Sequence, residues 1–387
     1  MKNLLLGLSA ILSLASGPLL ANPQGVTNTT VKLGSHTDLS GPLAIGGAPA
    51  TLAAQIRFDA ANAAGGVHGR KIELVVEDTQ YQVPLAVRAT NKLVQNDKVF
   101  ALFHSVGTQQ GLATIPITDR AKIPYIFPLT AAASMAEPLH PLHFSYFVTY
   151  ANQASAAIRY FYQKEKFASL CMQTHSTEYG EENRHGMEKV AKELGISVKL
   201  VGTHKPTDTE FAGAATAIKN AGCDFVYLGT TIKDTIALYA TLRKLGFQGT
   251  IASNMLPFLP IVPQAGGGAM EGLQVVTPMG AVDWSAGPKE RKAFYDEYMK
   301  RKGEEPSVYA LYGWLAADLT IKALENAGRN LTVESFTKGI EQIKGYKDPF
   351  GGPTISFSPT KHFGGDQLLL YAIKGGKWEL IEQNLKF

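Results

Sequence analysis

Two successive series of short apolar strands, alternating with helices, constrain the fold of this chain more than any other feature of its sequence. In both series the strands are continuous apolar runs, such as VFALFH at 99–104 and DFVYLG at 224–229. Strands of this kind, separated by helices, are typical of parallel sheets whose two faces are covered. The sequence therefore predicts an α/β fold with two doubly wound parallel-sheet lobes.

The two series are similar in size and meet near Phe147, in a segment rich in proline, histidine and aromatic residues. Two units of this size in a chain of 387 residues indicate two domains. The predicted strands are 31–36, 71–78, 99–104 and 123–127 in the first series, and 168–173, 197–203, 224–229 and 249–252 in the second. The predicted helices are 48–66, 84–97, 111–122, 152–166, 179–194, 209–221 and 233–246.

The tail of the chain departs from this alternation. Three helices are predicted in succession between 288 and 343, and β-rich segments follow, with Gly375-Gly376 as a hairpin turn. Because this order cannot build a third parallel sheet, we expect the two lobes to share the tail. The predicted division is 28–147 plus 282–349 for the first lobe and 148–281 plus 350–387 for the second.

Residues 1–21 have the layout of a secretory signal peptide. Lys2 precedes an apolar run at 4–14, the helix-breaking pair Gly17-Pro18 follows, and cleavage is expected after Ala21. A membrane anchor is the alternative, but the apolar run is shorter than the about 20 residues that span a bilayer. We therefore expect an exported protein.

The only two cysteines of the chain are Cys171 and Cys223. Export permits a disulfide, but Cys171 falls inside a predicted strand and Cys223 directly precedes another. Because a core of this size does not need a covalent link, we expect both to be buried free thiols.

The charge of the chain argues against a nucleic-acid partner. The formal net charge is +4, and no block of five like charges concentrates it. With 45% hydrophobic and 18% charged residues, the composition is that of a globular protein.

Polar residues follow the predicted strands in both series, where each strand ends and a helix begins. In open α/β sheets ligands bind at these carboxyl ends, beside helix N-termini. Two sets of such loops on two lobes predict a cleft between the lobes. The residues concerned are Ser40-Gly41, Asp78, Tyr81, Gly107-Thr108-Gln109 and Thr130 in the first series, and Tyr179-Gly180 and Thr230-Thr231 in the second.

The loop HSVGTQQG at 104–111 could serve a phosphate, a nucleophile or an acidic ligand group. It has neither the lysine–hydroxyl pair of a P-loop nor three spaced glycines, and the chain has no G-x-S-x-G turn. The histidines are scattered without a spaced ligand set, so we expect no metal and no cofactor. A seat for a carboxylate at the helix N-terminus is left, as is a simple helix cap by Thr108.

Several segments resemble the leucine/isoleucine/valine-binding proteins of bacterial ABC importers, a family with the type I periplasmic binding fold. They include SGPLAIGG at 40–47, GGVHGRK at 65–71, AKIPYIFPLTAA at 121–132 and TEYGEE at 177–182, and the resemblance extends over about residues 28–385. It implies two lobes joined by three crossovers, a ligand cleft between them, a periplasmic location, a permease partner in the inner membrane and a monomer.

The resemblance also implies which residues bind the ligand. The loops at Gly107-Thr108 and Leu129-Thr130-Ala131 correspond to those that hold the ligand carboxylate, and Tyr179 to a tyrosine that packs on the ligand. Thr230-Thr231 corresponds to further contacts from the second lobe. We expect Tyr81 and Met255 to line the body of the ligand, with Tyr150 contributing from the hinge side.

Two departures from the family pattern bear on the ligand. Gly107 stands where the amino-acid receptors carry a serine, and Asn254-Met255 stands where they carry an acidic residue for the ligand ammonium. An ammonium buried without a partner would cost several kcal/mol. A carboxylate with an apolar or aromatic body, or a neutral amide, therefore fits better than a simple α-amino acid.

We thus expect the substrate-binding component of an ABC importer, which performs no chemistry. A periplasmic receptor that feeds a signalling partner would have the same fold and cleft. A periplasmic hydrolase would need a nucleophile and a base, and the sequence contains no recognisable pair.

Overall fold

The computed structural model describes residues 22–387, so the predicted signal peptide lies outside the described residues. Within 22–387, no helix combines the length and the apolar character needed to cross a membrane. The described chain forms two sheets of different size, each flanked by helices.

The first lobe is built on a five-stranded sheet in the order β2-β1-β3-β4-β5, and all of its pairings are parallel. The structure confirms the four predicted strands and adds β5. The strands are β1 (Thr30–Thr37), β2 (Lys71–Asp78), β3 (Ala101–Phe103), β4 (Tyr125–Ile126) and β5 (His143–Phe144). The helices between them are α1 (Ala44–Ala63), α2 (Val83–Gln95) and α3 (Thr108–Ala121), and a 3-10 turn follows β4 at Ala133–Met135.

The second lobe is built on a seven-stranded sheet in the order β12-β11-β10-β9-β8-β6-β7. Its strands β6 to β10 pair in parallel, whereas β11 and β12 are antiparallel. The chain order is α4 (Tyr150–Glu165), β6 (Ser169–His175), α5 (Glu178–Leu194), β7 (Ser197–His204), α6 (Ala212–Ala221), β8 (Phe225–Gly229), α7 (Ile232–Lys244), β9 (Thr250–Ser253), a 3-10 turn at Ala265–Gly268, and β10 (Gln274–Thr277).

The tail contributes elements to both lobes. Helices α8 (Lys289–Lys302), α9 (Val308–Ala327) and α10 (Val333–Glu341) lie on the first lobe, where α9 packs along α1. Strands β11 (Leu368–Lys374) and β12 (Lys377–Leu385) complete the second sheet as a hairpin. Both turn glycines, Gly375 and Gly376, have positive φ, as a tight hairpin requires.

The chain returns to the second lobe later than the sequence suggests. Residues 355–363 lie on the first lobe, because Phe363 pairs with Ser145 and the ring of Phe357 packs against Phe127. The crossing therefore falls after residue 363 rather than at 349. Only isolated bridges form in the segment 353–359, which looks β-rich from its sequence.

The expectation of free thiols is wrong, because Cys171 and Cys223 form a disulfide with a Cα–Cα distance of 5.8 Å. In the chain, β7 comes between the strands near these cysteines. In the sheet, however, β6 lies directly beside β8, with Leu170 opposite Phe225. The sheet order therefore places Cys171, within β6, next to Cys223, which precedes β8.

Candidate functional site

A small cavity of about 30 Å³ lies between the lobes, at the carboxyl ends of both sheets. Loops after β1, β2, β3 and β4 form one wall, and the start of α4, α5 and α7 together with the turn after β9 forms the other. The cavity is lined by Leu43, Gly46, Gly47, Tyr81, Val106, Gly107, Thr108, Leu129, Thr130, Tyr150, Tyr179, Thr231, Ile232, Leu256 and Tyr309. Ordinary ligand pockets are about 300–1,000 Å³, so a ligand enters only when the walls move apart.

The N-terminus of α3 faces the cavity. Gly107 precedes the helix, Thr108 is its first residue, and no side chain of the N-cap residue caps the N–H groups of the first turn. The Oγ1 atoms of Thr108 and Thr130 are 2.7 Å apart, so the loops after β3 and β4 bring two hydroxyls together. Backbone N–H groups and hydroxyls at a helix N-terminus favour an anionic or hydrogen-bond-accepting group.

The backbone at Gly107 explains why this chain departs from the serine of the amino-acid receptors. Gly107 has φ 101° and ψ 139°, a conformation that side chains other than hydrogen rarely adopt. A Cβ at this position would lie 2.1 Å from Oε1 of Gln110 and 2.8 Å from the ring of Tyr81. A serine would therefore need a different loop conformation.

Tyr81 is held over the cavity by a strained turn. Gln80 and Tyr81 have φ of 50° and 58°, and such left-handed residues cost about 1–3 kcal/mol each. The side-chain amide of Gln110 donates a hydrogen bond to the carbonyl of Tyr81 at 2.7 Å. Helix α3, whose N-terminus faces the cavity, thereby also holds Tyr81 in place.

The second wall contains Tyr150 and Tyr179, and the polar groups around Tyr179 are hydrogen-bonded to one another. The Tyr179 hydroxyl donates to the carbonyl of Thr230 at 3.1 Å and accepts from the Asn254 amide at 2.7 Å. The ring of Tyr150 meets that of Tyr179 edge-on, with centroids 4.8 Å apart. Burial raises the pKa of Tyr150 to about 12 and that of Tyr179 well above its usual value, so both phenols are neutral.

Thr231 presents a hydrogen-bond acceptor to the cavity. Its hydroxyl donates to Oδ2 of Asp234 at 2.7 Å, which leaves only the oxygen lone pairs free. Burial acts to raise the pKa of Asp234, but hydrogen bonds from His175 and Thr231, together with the nearby imidazole of His204, outweigh this effect and lower the pKa. Asp234 therefore carries a charge behind the cavity wall.

The structure brings most of the predicted site residues to the cavity: Tyr81, Gly107, Thr108, Leu129, Thr130, Tyr150, Tyr179 and Thr231 line it. Ala131, Thr230 and Met255 do not. The carbonyl of Ala131 accepts from the N–H of Tyr150, and Thr230 receives the Tyr179 hydroxyl. Met255 turns away from the cavity, and its N–H bonds to Oε1 of Gln153 at 3.1 Å.

Sequence reasoning missed seven lining residues, namely Leu43, Gly46, Gly47, Val106, Ile232, Leu256 and Tyr309. The segment SGPLAIGG contains the first three, so its resemblance to the family was a usable signal. Tyr309 comes from the tail helix α9, and its hydroxyl donates across the cleft to the carbonyl of Leu256 at 3.1 Å. No local pattern marks a contact of that kind.

Comparison with known proteins identifies the family. The family model for periplasmic binding proteins matches residues 30–377. The chain is 24% identical over 300 residues to the leucine-, isoleucine-, valine-, threonine- and alanine-binding protein of Pseudomonas aeruginosa, covering 77% of this chain and 79% of that one. It is 26% identical over 272 residues to an amino acid binding protein of the same organism, covering 70% and 71%.

Two solved structures share the fold. A branched-chain amino acid ABC transporter protein from Thermus thermophilus with bound valine superposes with a TM-score of 0.83 at 21% identity, covering 95% of this chain and 97% of that one. A fatty acid ABC transporter substrate-binding protein from Thermomonospora curvata superposes with a TM-score of 0.82 at 23% identity, covering 95% of both chains. With two α/β lobes, a cavity between them and a family match over nearly the whole described chain, this protein belongs to the periplasmic binding protein family.

Proposed function

We propose that this protein is the substrate-binding component of an ABC importer and that it binds a small carboxylate or neutral amide with an apolar or aromatic body. It works in the periplasm as a monomer, delivers its ligand to a permease of the inner membrane, and performs no chemistry. The observation that carries this proposal is the uncapped N-terminus of α3, with the paired hydroxyls of Thr108 and Thr130, facing a cavity between two lobes.

The lining of the cavity supports this class of ligand. None of the described residues that line it is charged, and four of them are tyrosines. An acceptor group of the ligand is matched by the N–H groups of α3, and an apolar body by the aromatic rings. One relative is named for the amino acids it binds and one solved structure belongs to a fatty acid ABC transporter, and both kinds of molecule carry a carboxylate.

The ligand closes the two lobes by binding both of them. In the open form it contacts chiefly the first lobe, and closure then adds Tyr179, Thr231 and Leu256 from the second. A ligand shifts such an equilibrium only by its greater affinity for the closed form. The lone pairs of the Thr231 hydroxyl accept a hydrogen bond from a ligand that carries a donor group on that side. A ligand without a donor there places an apolar group beside Thr231 instead.

Matched ligand pairs test the ligand class most directly. Native mass spectrometry first identifies any ligand carried by the purified protein. The protein is then unfolded and refolded to release that ligand. Calorimetry then compares leucine with 4-methylpentanoate and phenylalanine with 3-phenylpropanoate, because each pair differs only in the ammonium group. We expect the deaminated acids to bind more tightly, and tighter binding of the amino acids would overturn the proposed ligand class.

Variants of the hydroxyl pair test the site. Because a hydrogen bond to a charged group contributes about 1.5–3 kcal/mol, Thr108→Val and Thr130→Val should each weaken the tightest carboxylate by about 10- to 100-fold. Thr320→Val is the matched control, since Thr320 is a buried threonine of α9 whose hydroxyl bonds to Ala316 within the helix. Unchanged affinity in both site variants would show that the ligand does not sit at α3.

A further inference from the structure

Three metal-ligating side chains converge behind the second wall of the cavity, outside the ligand site itself. His175 ends β6, His204 ends β7 and Asp234 lies in the first turn of α7. The two strands are parallel neighbours and pair His175 directly with His204. The ligating atoms of the three side chains lie within 4.8 Å of one another.

The geometry of this cluster is close to that of a metal site. Nε2 of His175 lies 2.7 Å from Oδ2 of Asp234, and Nε2 of His204 lies 3.3 Å from the same oxygen. Around a tetrahedral ion with bonds of about 2.0–2.2 Å, ligand atoms are separated by about 3.3 Å. The His204–Asp234 separation already has this value, and the His175–Asp234 separation has to widen by about 0.6 Å.

The charge of the cluster calls for a cation. His175, His204 and Asp234 are 2%, 9% and 4% exposed, so the carboxylate is removed from bulk water. In the described part of the chain no lysine or arginine forms an ion pair with Asp234. A buried carboxylate without a positive partner costs several kcal/mol. A divalent ion held by the three side chains supplies that charge.

One imidazole nitrogen of the cluster lacks a hydrogen bond. Nε2 of His204 is buried and has no partner of suitable geometry among the described residues, although it points toward Asp234. Its other nitrogen, Nδ1, lies 3.0 Å from the side-chain amide nitrogen of Gln173, which holds the ring in place. Rotating that amide by 180° brings its oxygen to Nδ1–H and leaves Nε2 free to coordinate a metal.

We propose that His175, His204 and Asp234 form a binding site for one divalent transition-metal ion of the zinc type. Two imidazoles and a carboxylate are ligands that Zn²⁺, Co²⁺ and Ni²⁺ share. Thr231 joins the site to the ligand cavity, because its hydroxyl bonds to the same Oδ2 atom that would coordinate the ion. The ion holds the second wall in place, through Thr231 and through the ring of His175 against Tyr179.

Metal binding at these three side chains does not depend on the identity of the transported ligand. Protein without a histidine tag is treated with a chelator, dialysed and titrated with Co²⁺, whose visible absorption reports tetrahedral or five-coordinate nitrogen and oxygen ligation. We expect one equivalent to bind, to be displaced by Zn²⁺, and to raise the melting temperature. Wild-type protein that takes up no Co²⁺ or Zn²⁺ saturably would overturn the proposal.

Variants assign the ion to these side chains. His175→Gln and His204→Gln should each weaken Co²⁺ binding by about 100-fold or more, since even second-shell changes cost 10- to 100-fold. His140→Gln is the matched control, because Asp119, His140 and His143 form a second cluster of the same composition on the first lobe. Loss of binding in His140→Gln alone would assign the ion to that cluster and contradict the proposal. Circular dichroism verifies that each variant is folded. If His175→Gln fails to fold, the Co²⁺ affinity of His204→Gln tests the assignment instead.

Discussion

Oε1 of Glu182 accepts a hydrogen bond from the backbone N–H of Ala133 at 2.9 Å, and this bond crosses the cleft. Ala133 begins the 3-10 turn after β4 in the first lobe, whereas Glu182 lies in α5 of the second. Closing the lobes therefore buries a carboxylate against the opposite wall. Burial is the main cause that raises the pKa of Glu182 to about 7, and Glu137 adds to it, while the N–H groups of Ala133 and Ala151 oppose it.

We predict that ligand binding strengthens as the pH falls. In the open form Glu182 is exposed to water and should have an ordinary pKa of about 4.3. The closed form binds the proton more tightly, so closure is favoured below pH 7 and loses this contribution as the pH rises through about 7. Affinity measured by calorimetry should be about 10- to 30-fold higher at pH 5.5 than at pH 8.

The variant Glu182→Gln isolates this effect. It should remove most of the pH dependence and bind at pH 8 at least as tightly as the wild type, because no charge is then buried on closure. Glu181→Gln is the control, since Glu181 neighbours it on α5 but is exposed. An unaltered pH dependence in Glu182→Gln would mean that another group titrates.

We predict that Tyr309→Phe weakens binding through lobe closure. The hydroxyl of Tyr309 bonds to the carbonyl of Leu256 only when the lobes meet, and water can replace it in the open form. Loss of one such bond, worth about 0.5–1.5 kcal/mol, should lower affinity by about 3- to 10-fold, mainly through faster dissociation in stopped-flow measurements. Tyr239→Phe removes a hydroxyl bond that stays within the second lobe and should leave the dissociation rate unchanged.

The parts of the site that sequence reasoning located are those set by a general rule of open α/β sheets. Thr108, Thr130, Tyr179 and Thr231 each follow a strand, so the topology alone brings them to one edge of each sheet. Tyr309 could not be found in this way, because it reaches the cavity from a tail helix whose placement depends on the packing of α9 on α1.

Smaller errors have similar physical causes. The sequence places the turn after β9 at the cavity, but Leu256 rather than Met255 lines it. The N–H of Met255 instead donates a hydrogen bond to Oε1 of Gln153. The disulfide was missed because the spatial order of strands in a sheet is not their order in the chain. Patterns of apolar residues predict that a strand exists, but not which strand lies beside it.

We predict that the disulfide contributes measurably to stability. It closes a loop with a sequence separation of 52 residues, for which the entropic model gives about 4 kcal/mol and measured values are about 2–4 kcal/mol. The variant Cys171→Ala/Cys223→Ala should therefore melt at a lower temperature. A reductant should lower the melting temperature of the wild type but not that of the variant, and denatured wild type should have no free thiol before reduction.

We predict that alanine substitutions of two helical glycines, Gly313 in α9 and Gly213 in α6, change stability in opposite directions. A Cβ at Gly313 would lie 1.9 Å from the carbonyl oxygen of Ala50, so Gly313→Ala has to push the two helices apart. Such overpacking costs about 1–3 kcal/mol. Gly213 in α6 has nothing within 4 Å of a Cβ, so Gly213→Ala should stabilise the protein by about 0.5–1 kcal/mol. Thermal melts of the two variants should shift in opposite directions, and a lowered melting temperature in both would indicate that helix α6 tolerates no side chain at that position.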